Sequence, residues 1–354
     1  MRSFTTVSTL LLLLGCASDP VAGPQVPVDA SHMPHAGSGY TVRNISSSPT
    51  DPSYGWSINA DQQVAGWSLT PSGSRAWVWA GGVTTLLPLP RGAVGSQAYG
   101  ISNDGRIVGS ILTSRGLFPA YWRNSVTAPV LLPTLGYVTG NIGLGVNSSG
   151  RVAGLVLDRN GQEQAFVWEA STGAFGLLGT LGGLTSRAND VNDGGTVTGC
   201  ADDPTGNPRA YRWTSAGGMV NADRYAGSTG SCGQGLNRQA DVAGHFYGGP
   251  GGTDTAAVFD ASGIPLLAAR IGGQAWYWSV NDNGVAAGYA DTYALGLRQA
   301  IVYQPSAGIS VLPSLSRSAS AEAHDINGCG RIVGVGYGVG GGPDRALLWV
   351  PTGC

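Results

Sequence analysis

The chain has 354 residues, of which 58 are glycine and 11% are charged, and its formal net charge is −2. A charge this close to zero gives no basic surface for a phosphate backbone, so nucleic acid is excluded as an expected partner. Abundant glycine with few charges is typical of a turn-rich all-β protein.

Residues 1–15 form a predicted signal peptide, with Arg2 followed by an apolar run at residues 10–14. This run is too short to span a bilayer, which takes ~20 apolar residues in a helix. The segment Leu13-Leu14-Gly15-Cys16 resembles the lipobox of bacterial lipoproteins. The resemblance implies that Cys16 carries lipid and that the protein is anchored in the bacterial cell envelope, in the outer membrane or at the surface. The alternative is an ordinary secretory peptide that is cleaved elsewhere.

Residues 16–38 are predicted to be the lipidated cysteine and a flexible tether. The segment after Cys16 is rich in Pro, Ala, Ser, Gly and Asp and has almost no large apolar side chain. Such a composition buries too little surface to order itself. The folded domain is therefore expected to cover residues 39–354.

A turn motif then returns seven times, every 43 to 46 residues. We call its first residues the anchors: Asn59, Ser102, Asn147, Asn192, Asn237, Asn281 and Asn327. Each anchor is followed seven residues later by a closing glycine: Gly66, Gly109, Gly154, Gly199, Gly244, Gly288 and Gly334. A period of this length is typical of repeat architectures.

Each repeat divides into four short strand-like segments, for example residues 189–192, 196–200, 210–213 and 218–221 of the fourth repeat. Seven four-stranded units predict an all-β, seven-bladed β-propeller. The last repeat lacks a fourth segment, and residues 40–45 precede the first repeat without a partner. The amino-terminal strand is therefore expected to complete the last blade and close the ring.

Three rows of residues are expected to fill the space between blades. One lies just before the anchors and a second lies five residues after them. The third holds the aromatic side chains that end the third strands: Trp79, Trp122, Trp168, Trp213, Phe259, Tyr303 and Trp349. Seven aromatic rings at one repeat position resemble a cofactor cage, but a residue present in every blade is better explained as core. No cofactor is predicted.

The repeat unit resembles the HAF family of extracellular repeat proteins. Residues 165–168 (Ala-Phe-Val-Trp) and 178–183 (Leu-Gly-Thr-Leu-Gly-Gly) give the best copy, although Gln164 stands where the family motif has its histidine. The resemblance covers about residues 40 to 354. It implies an extracellular or envelope repeat protein without an assigned activity.

Four cysteines remain if Cys16 carries lipid, an even number for an oxidising compartment. Their places in the predicted blades favour the disulfides Cys200–Cys232 and Cys329–Cys354 among three possible pairings. No Cys or His spacing predicts a zinc site. Asp202, Asp203 and Asn207 are better explained as a solvated acidic turn than as a calcium site.

A ligand is expected on the face that carries the longer, variable loops between second and third strands and between blades. Two rows at this face differ from blade to blade, as binding to an asymmetric ligand requires. The candidate ligand-binding residues are Trp56, Trp67, Tyr99, Arg187, His245, Trp276, Trp278, Tyr289, Glu322 and His324. The alternative is that these side chains simply pack beneath the loops.

Three functions stay open at this stage. The first is an envelope-anchored, non-catalytic and monomeric propeller that binds a glycan or a protein. The second is a polysaccharide hydrolase or lyase that uses Glu322, His324 and two aspartates, Asp190 and Asp325, that face the channel. The third is a structural surface protein without a small ligand. No catalytic or metal-binding residue is predicted outright, because no established motif occurs.

Overall fold

The computed structural model describes residues 28–29, 39–136, 140–248, 253–263, 265–270, 273–292, 296–316 and 320–352. The predicted signal peptide, Cys16, most of the predicted tether and Cys354 lie outside these residues. The described part of the chain contains no helix with the length and hydrophobicity of a membrane span.

The domain is an all-β, seven-bladed propeller, as predicted. Before the first repeat come β1 (Val28–Asp29) and β2 (Tyr40–Asn44). Blade 1 consists of β3 (Ser53–Ile58), β4 (Val64–Thr70), β5 (Gly73–Ala80) and β6 (Val83–Leu86). Blade 2 consists of β7 (Ala93–Ile101), β8 (Ile107–Thr113), β9 (Gly116–Trp122) and β10 (Val130–Leu131). Blade 3 consists of β11 (Ile142–Val146), β12 (Arg151–Leu157), β13 (Glu163–Glu169) and β14 (Phe175–Leu177).

Blade 4 consists of β15 (Ser186–Val191), β16 (Val197–Asp202), β17 (Pro208–Thr214) and β18 (Gly218–Asn221). Blade 5 consists of β19 (Gly230–Leu236), β20 (Val242–Tyr247), β21 (Thr255–Phe259) and β22 (Pro265–Arg270). Blade 6 consists of β23 (Ala275–Val280), β24 (Ala286–Thr292), β25 (Leu297–Gln304) and β26 (Gly308–Val311). Blade 7 consists of β27 (Ala321–Ile326), β28 (Ile332–Gly336), β29 (Arg345–Pro351) and β2, with a short 3-10 helix at Val339–Gly341.

The amino-terminal strand closes the ring, which confirms the prediction. Strand β2 pairs antiparallel with β29, with Tyr40 opposite Pro351 and Asn44 opposite Leu347. The first strand, β1, lies within the predicted tether and pairs in parallel with residues 269 and 270 at the outer edge of blade 5.

The anchor asparagines form a hydrogen-bonded belt around the ring. Their side-chain N–H groups donate to the carbonyl oxygen of the next blade's anchor at 2.9 to 3.4 Å, in the six asparagines Asn59, Asn147, Asn192, Asn237, Asn281 and Asn327. The seventh anchor, Ser102, is too short for this role, and its hydroxyl donates to Asp104 instead. The repeated Asn therefore holds neighbouring blades together at the tight-turn face, which carries the turns between first and second strands.

The closing glycines are fixed by the close approach of two strands. A Cβ atom at any of the seven would lie 1.9 to 2.2 Å from a carbonyl oxygen of the inner strand. Only glycine fits between backbones at that distance.

The core lies between the blades, as the rows predicted. The described residues form seven clusters of buried side chains, and each cluster joins two adjacent blades. In one of them, Ile58 and Val64 of blade 1 pack with Val333 and Leu348 of blade 7. The third-strand aromatic rings belong to these clusters: Trp122, Trp168, Phe259 and Trp349 are buried and the other three are partly buried. They are core residues rather than a cage.

Candidate functional site

Every inner strand carries a β-bulge at the same place, three residues before the anchor. A bulge adds one residue opposite a single partner and redirects side chains. The bulged residues, here called the bulge row, are Trp56, Tyr99, Leu144, Asn189, Gln234, Trp278 and His324. The next residues, here called the axis row, are Ser57, Gly100, Gly145, Asp190, Gly235, Ser279 and Asp325. All fourteen residues line the central channel.

The channel holds a cavity of about 370 Å³. Its lining runs from the bulge row to the residues that follow the anchors, such as Asn103, Asp193 and Arg238, which are exposed. The cavity therefore reaches solvent at the tight-turn face, and the bulge row forms its inner end. Its size lies within the ~300–1,000 Å³ typical of small-molecule sites.

One side of the inner end is aromatic. Trp56 stacks on the imidazole of His324 with ring centroids 4.3 Å apart, and meets Tyr99 and Trp278 edge-on at 5.4 and 6.3 Å. His324 Nδ1 lies 2.8 Å from the carbonyl oxygen of Gly55, which holds the ring in place. The indole N–H groups of Trp56 and Trp278 are buried and have no hydrogen-bond partner among the described residues.

The opposite side carries two amides. Asn189 Nδ2 donates to the carbonyl oxygen of Gly233 at 2.7 Å and to Oε1 of Gln234 at 3.2 Å. Gln234 Nε2 lies 3.3 Å from the sulfur of Cys232, which is bonded to Cys200. The disulfide joins blades 4 and 5 directly beside the amide pair, so it fixes both side chains.

Two carboxylates lie in the axis row, as expected from the sequence. Asp325 accepts hydrogen bonds from the hydroxyls of Ser57 and Ser279 at 2.8 and 2.7 Å. It also accepts from the backbone N–H groups of Ile58 and Ile326 at 2.9 and 2.8 Å. The four bonds tie Asp325 to the inner strands on both of its sides.

Asp190 has fewer partners than Asp325. It accepts from the backbone N–H groups of Val191 at 2.7 Å and Leu236 at 3.0 Å. Burial in the channel wall, assisted by the negative charges of Asp325 and Asp193, raises the pKa of Asp190 to about 7 against the pull of these two bonds. Burial likewise raises the pKa of Asp325.

A second cluster of charged and aromatic residues lies beyond the inner end of the cavity. Glu322 accepts from Arg298 Nη1 at 2.7 Å and lies 3.5 Å from His324 Nε2. Arg298 also pairs with Asp291 at 3.0 Å and lies 4.0 Å above the ring of Tyr289. Burial tends to raise the pKa of Glu322, but the bonds from His324 and Arg298 outweigh it and bring the pKa to about 2. This carboxylate is held ionised and fully engaged.

The remaining candidates lie apart from the cavity. His245 is buried and stacks on Trp276 with ring centroids 4.0 Å apart, and burial lowers the pKa of His245 to about 3. Trp67 stacks on Tyr54 at 4.3 Å. Arg187 forms an ion pair with Glu163 at 2.6 Å.

Four of the ten predicted ligand-binding residues thus line the cavity: Trp56, Tyr99, Trp278 and His324. The other six do not line it. The predicted ligand site on the loop face stays a prediction, because loop segments 137–139, 249–252, 271–272, 293–295 and 317–319 lie outside the described residues. Asn189 and Gln234 share the bulge row with Trp56 and line the cavity, but they were not among the ten candidates.

The cysteines were predicted in part. Cys200 and Cys232 form the expected disulfide, with Cα atoms 4.7 Å apart. Cys329 is exposed and forms no disulfide within the described residues. Its predicted partner, Cys354, lies outside them, so that pairing stays a prediction. The described residues gather no group of three or more His, Cys, Asp or Glu side chains that would hold a metal ion.

Comparisons with known proteins support the fold. No family profile and no curated protein matches the chain. Among solved structures, it is similar to a streptogramin B lyase, with 12% identity, a TM-score of 0.53, and coverage of 88% of this chain and 97% of the other. It is also similar to a catalytically inactive virginiamycin B lyase from Staphylococcus aureus with quinupristin, with 12% identity, a TM-score of 0.57, and coverage of 88% and 99%. Identities this low show the propeller fold and nothing finer.

Proposed function

We propose that this protein is a non-catalytic propeller that binds a saccharide in the central channel. The proposal rests mainly on the two unlike sides of the cavity: aromatic rings of Trp56, Tyr99 and Trp278 on one side, and the amides of Asn189 and Gln234 on the other. A sugar ring has apolar C–H faces that pack on aromatic rings, and hydroxyls that pair with amides. The volume of about 370 Å³ suits a small ligand better than a folded protein.

The unpartnered indole N–H groups of Trp56 and Trp278 add to this argument. A buried donor without an acceptor costs ~1–3 kcal/mol. Both residues line the cavity, so a rotation that turns either N–H group into it would let that group donate to a ligand hydroxyl. Ligand binding would then recover a cost that the free protein carries.

The state of Glu322 favours binding over catalysis. A general acid needs a pKa near the working pH, whereas Glu322 has a pKa of about 2 and pairs with Arg298. Glu322 also does not line the cavity. A hydrolase or lyase remains the second candidate, because Glu322 and His324 lie 3.5 Å apart beside the aromatic side. Asp190 also lines the cavity and has a pKa of about 7, in the range of a general acid.

A glycan array followed by calorimetry tests the first candidate. Trp278→Ala should weaken binding of the best glycan by about 10- to 100-fold, the range expected for losing a ring that stacks on a ligand. Trp67→Ala is the matched control, because Trp67 stacks on Tyr54 away from the cavity. Equal loss in both variants, or no bound glycan, would contradict the proposal.

A reducing-end assay on the same glycans separates the second candidate. Binding without turnover supports the first candidate. If the protein cleaves a glycan and the Glu322→Gln variant does not, the hydrolase or lyase candidate is correct and the first candidate is wrong. A protein that neither binds nor cleaves any glycan would fit the structural role.

Attachment to the cell envelope through Cys16 is part of the same proposal. Its support is the lipobox-like sequence that ends at Cys16. Metabolic labelling with a fatty acid should mark the wild-type protein and not Cys16→Ser. An unlabelled wild-type protein would favour ordinary secretion.

A further inference from the structure

The two aspartates of the axis row differ in their hydrogen-bond partners, because different residues flank them in the neighbouring blades. Asp325 lies between serines, Ser279 in blade 6 and Ser57 in blade 1, and both hydroxyls donate to it. Asp190 lies between Gly145 in blade 3 and Gly235 in blade 5, which have no side-chain donor. The neighbouring blades therefore give Asp325 two side-chain donors and give Asp190 none.

Counting hydrogen bonds makes the difference quantitative. A carboxylate accepts about four hydrogen bonds. Asp325 has four acceptor contacts, whereas Asp190 has two, both from backbone N–H groups. About two acceptor positions on Asp190 are thus open to a ligand in the cavity.

The charge near Asp190 is also uncompensated. Within the described residues no Arg or His pairs with Asp190, and the one arginine in the cavity lining, Arg238, pairs with Asp282 at 3.4 Å. The charged groups that influence Asp190 are Asp325 and Asp193, and both are negative. A buried carboxylate of this kind favours a cationic partner, which would supply both donors and charge.

The aromatic side fits the same partner. A sugar ring packs its C–H groups on aromatic faces, which leaves an amino group on that ring free to contact a carboxylate on the other side of the cavity. Trp56, Tyr99 and Trp278 line the cavity together with Asp190. We propose that the ligand of the channel is an amino sugar and that Asp190 binds its ammonium group. This inference rests on the proposed saccharide site and names the class of saccharide.

Calorimetry at pH 7 with three β-1,4 disaccharides tests the inference: the glucosamine dimer, its N-acetylated form and cellobiose. The wild-type protein should bind the amine at least about tenfold more tightly than the other two, the factor of a single charge-assisted contact. In Asp190→Asn, the affinity for the glucosamine dimer should fall to the affinity for its N-acetylated form. Asp61→Asn is the matched control, because Asp61 is an exposed carboxylate at the same face outside the cavity lining.

Measurements on the wild-type protein at two pH values give a second test that needs no variant. The negative charges of Asp325 in blade 7 and of Asp193 in the tight turn of blade 4 act on Asp190, which has a pKa of about 7 and is therefore protonated at pH 5. The amine, with a pKa of ~7.7 if it resembles an α-amino group, stays largely charged at both pH 5 and pH 7. The affinity for the glucosamine dimer should therefore fall at least about tenfold from pH 7 to pH 5. The affinity for cellobiose should not fall in this way.

The outcomes distinguish the two proposals. Equal affinity for all three disaccharides, or a preference for the amine that survives in Asp190→Asn, overturns the inference and leaves the saccharide site standing. Cellobiose binding that depends on Asp190 as strongly as amine binding also overturns it, because Asp190 would then bind hydroxyls. Binding of none of the three at any pH overturns the inference, and the saccharide site falls with it if the glycan array also finds no ligand.

Discussion

Asn327 donates a side-chain hydrogen bond of 3.0 Å to the backbone carbonyl of Asn59, although 268 positions separate the two residues. This bond joins the last blade to the first at the tight-turn face. The same bond recurs between other neighbouring anchors and breaks only where Ser102 replaces Asn among the described turns. The anchor asparagine therefore stabilises the tight turn within its own blade and the contact with the next blade.

The belt can be weakened or completed by single substitutions. Asn327→Ala removes the bond to Asn59 and leaves turn N–H groups without their acceptor, so we expect a loss of about 1–3 kcal/mol. Ser102→Asn should add the missing link to Asn147 and raise the free energy of unfolding by about 0.5–1 kcal/mol. Urea denaturation measures both. A destabilised Ser102→Asn variant would show that the belt is not a shared stabilising feature.

Two of the tight turns store backbone strain. The residue three past the anchor has φ between 64° and 86° in all seven turns, and it is glycine in five of them but Gln62 and Ala240 in the others. Because a side chain costs about 1 kcal/mol in this conformation, Ala240→Gly and Gln62→Gly should each stabilise the fold by about 0.5–1 kcal/mol. Thermal unfolding measures the gain. Gly195→Ala is the reverse change, and stabilisation by it would contradict the argument.

The closing glycines should tolerate no side chain. A Cβ atom at Gly199 would lie 1.9 Å from the carbonyl oxygen of Arg187. Gly199→Ala should therefore cost about 3 kcal/mol or more, or prevent folding. Gly194→Ala, in the exposed turn of the same blade, is the control and should change stability by less than about 0.5 kcal/mol. Similar losses in both variants would mean that the strands can separate to admit a methyl group.

The raised pKa of Asp190 predicts a pH dependence of stability. The unfolded chain ionises this carboxyl near ~3.9, whereas burial holds it protonated up to about 7 in the folded protein. The folded state binds the extra proton between these values, so its stability falls as pH rises through this window. Asp190→Asn, which cannot ionise, should raise Tm relative to wild type at pH 8 and lose this advantage at pH 4. If the difference in Tm between Asp190→Asn and wild type is the same at pH 4 and pH 8, the pKa of Asp190 is not raised in the folded protein.

The blade number, the ring closure and the core rows were predictable from the sequence. They depend on contacts that every repeat must make, such as the Asn anchors, the closing glycines and apolar side chains like Ile58 and Val64, and repetition makes such residues visible. One disulfide, Cys200–Cys232, followed from the same map of strands.

The position of the cavity was harder to predict, and the reason is the β-bulge. In a regular strand, consecutive side chains point to opposite faces of the sheet, and a sequence-based prediction assumes this alternation. The bulge breaks that alternation, so Trp56 and Ser57 both line the channel. The sequence does not mark the bulge, because the residue that occupies it changes in size and polarity from Trp56 to Asn189. The partners of Glu322 were also hidden, since Arg298 lies in the preceding blade.

The most direct test of the channel as the ligand site is a crystal structure of the protein soaked with the glucosamine disaccharide. The account predicts a sugar in the channel, with its ring against Trp56 or Trp278 and its amino nitrogen within about 3 Å of a carboxylate oxygen of Asp190. A disaccharide seated on the loop face with the channel filled only by water would contradict it.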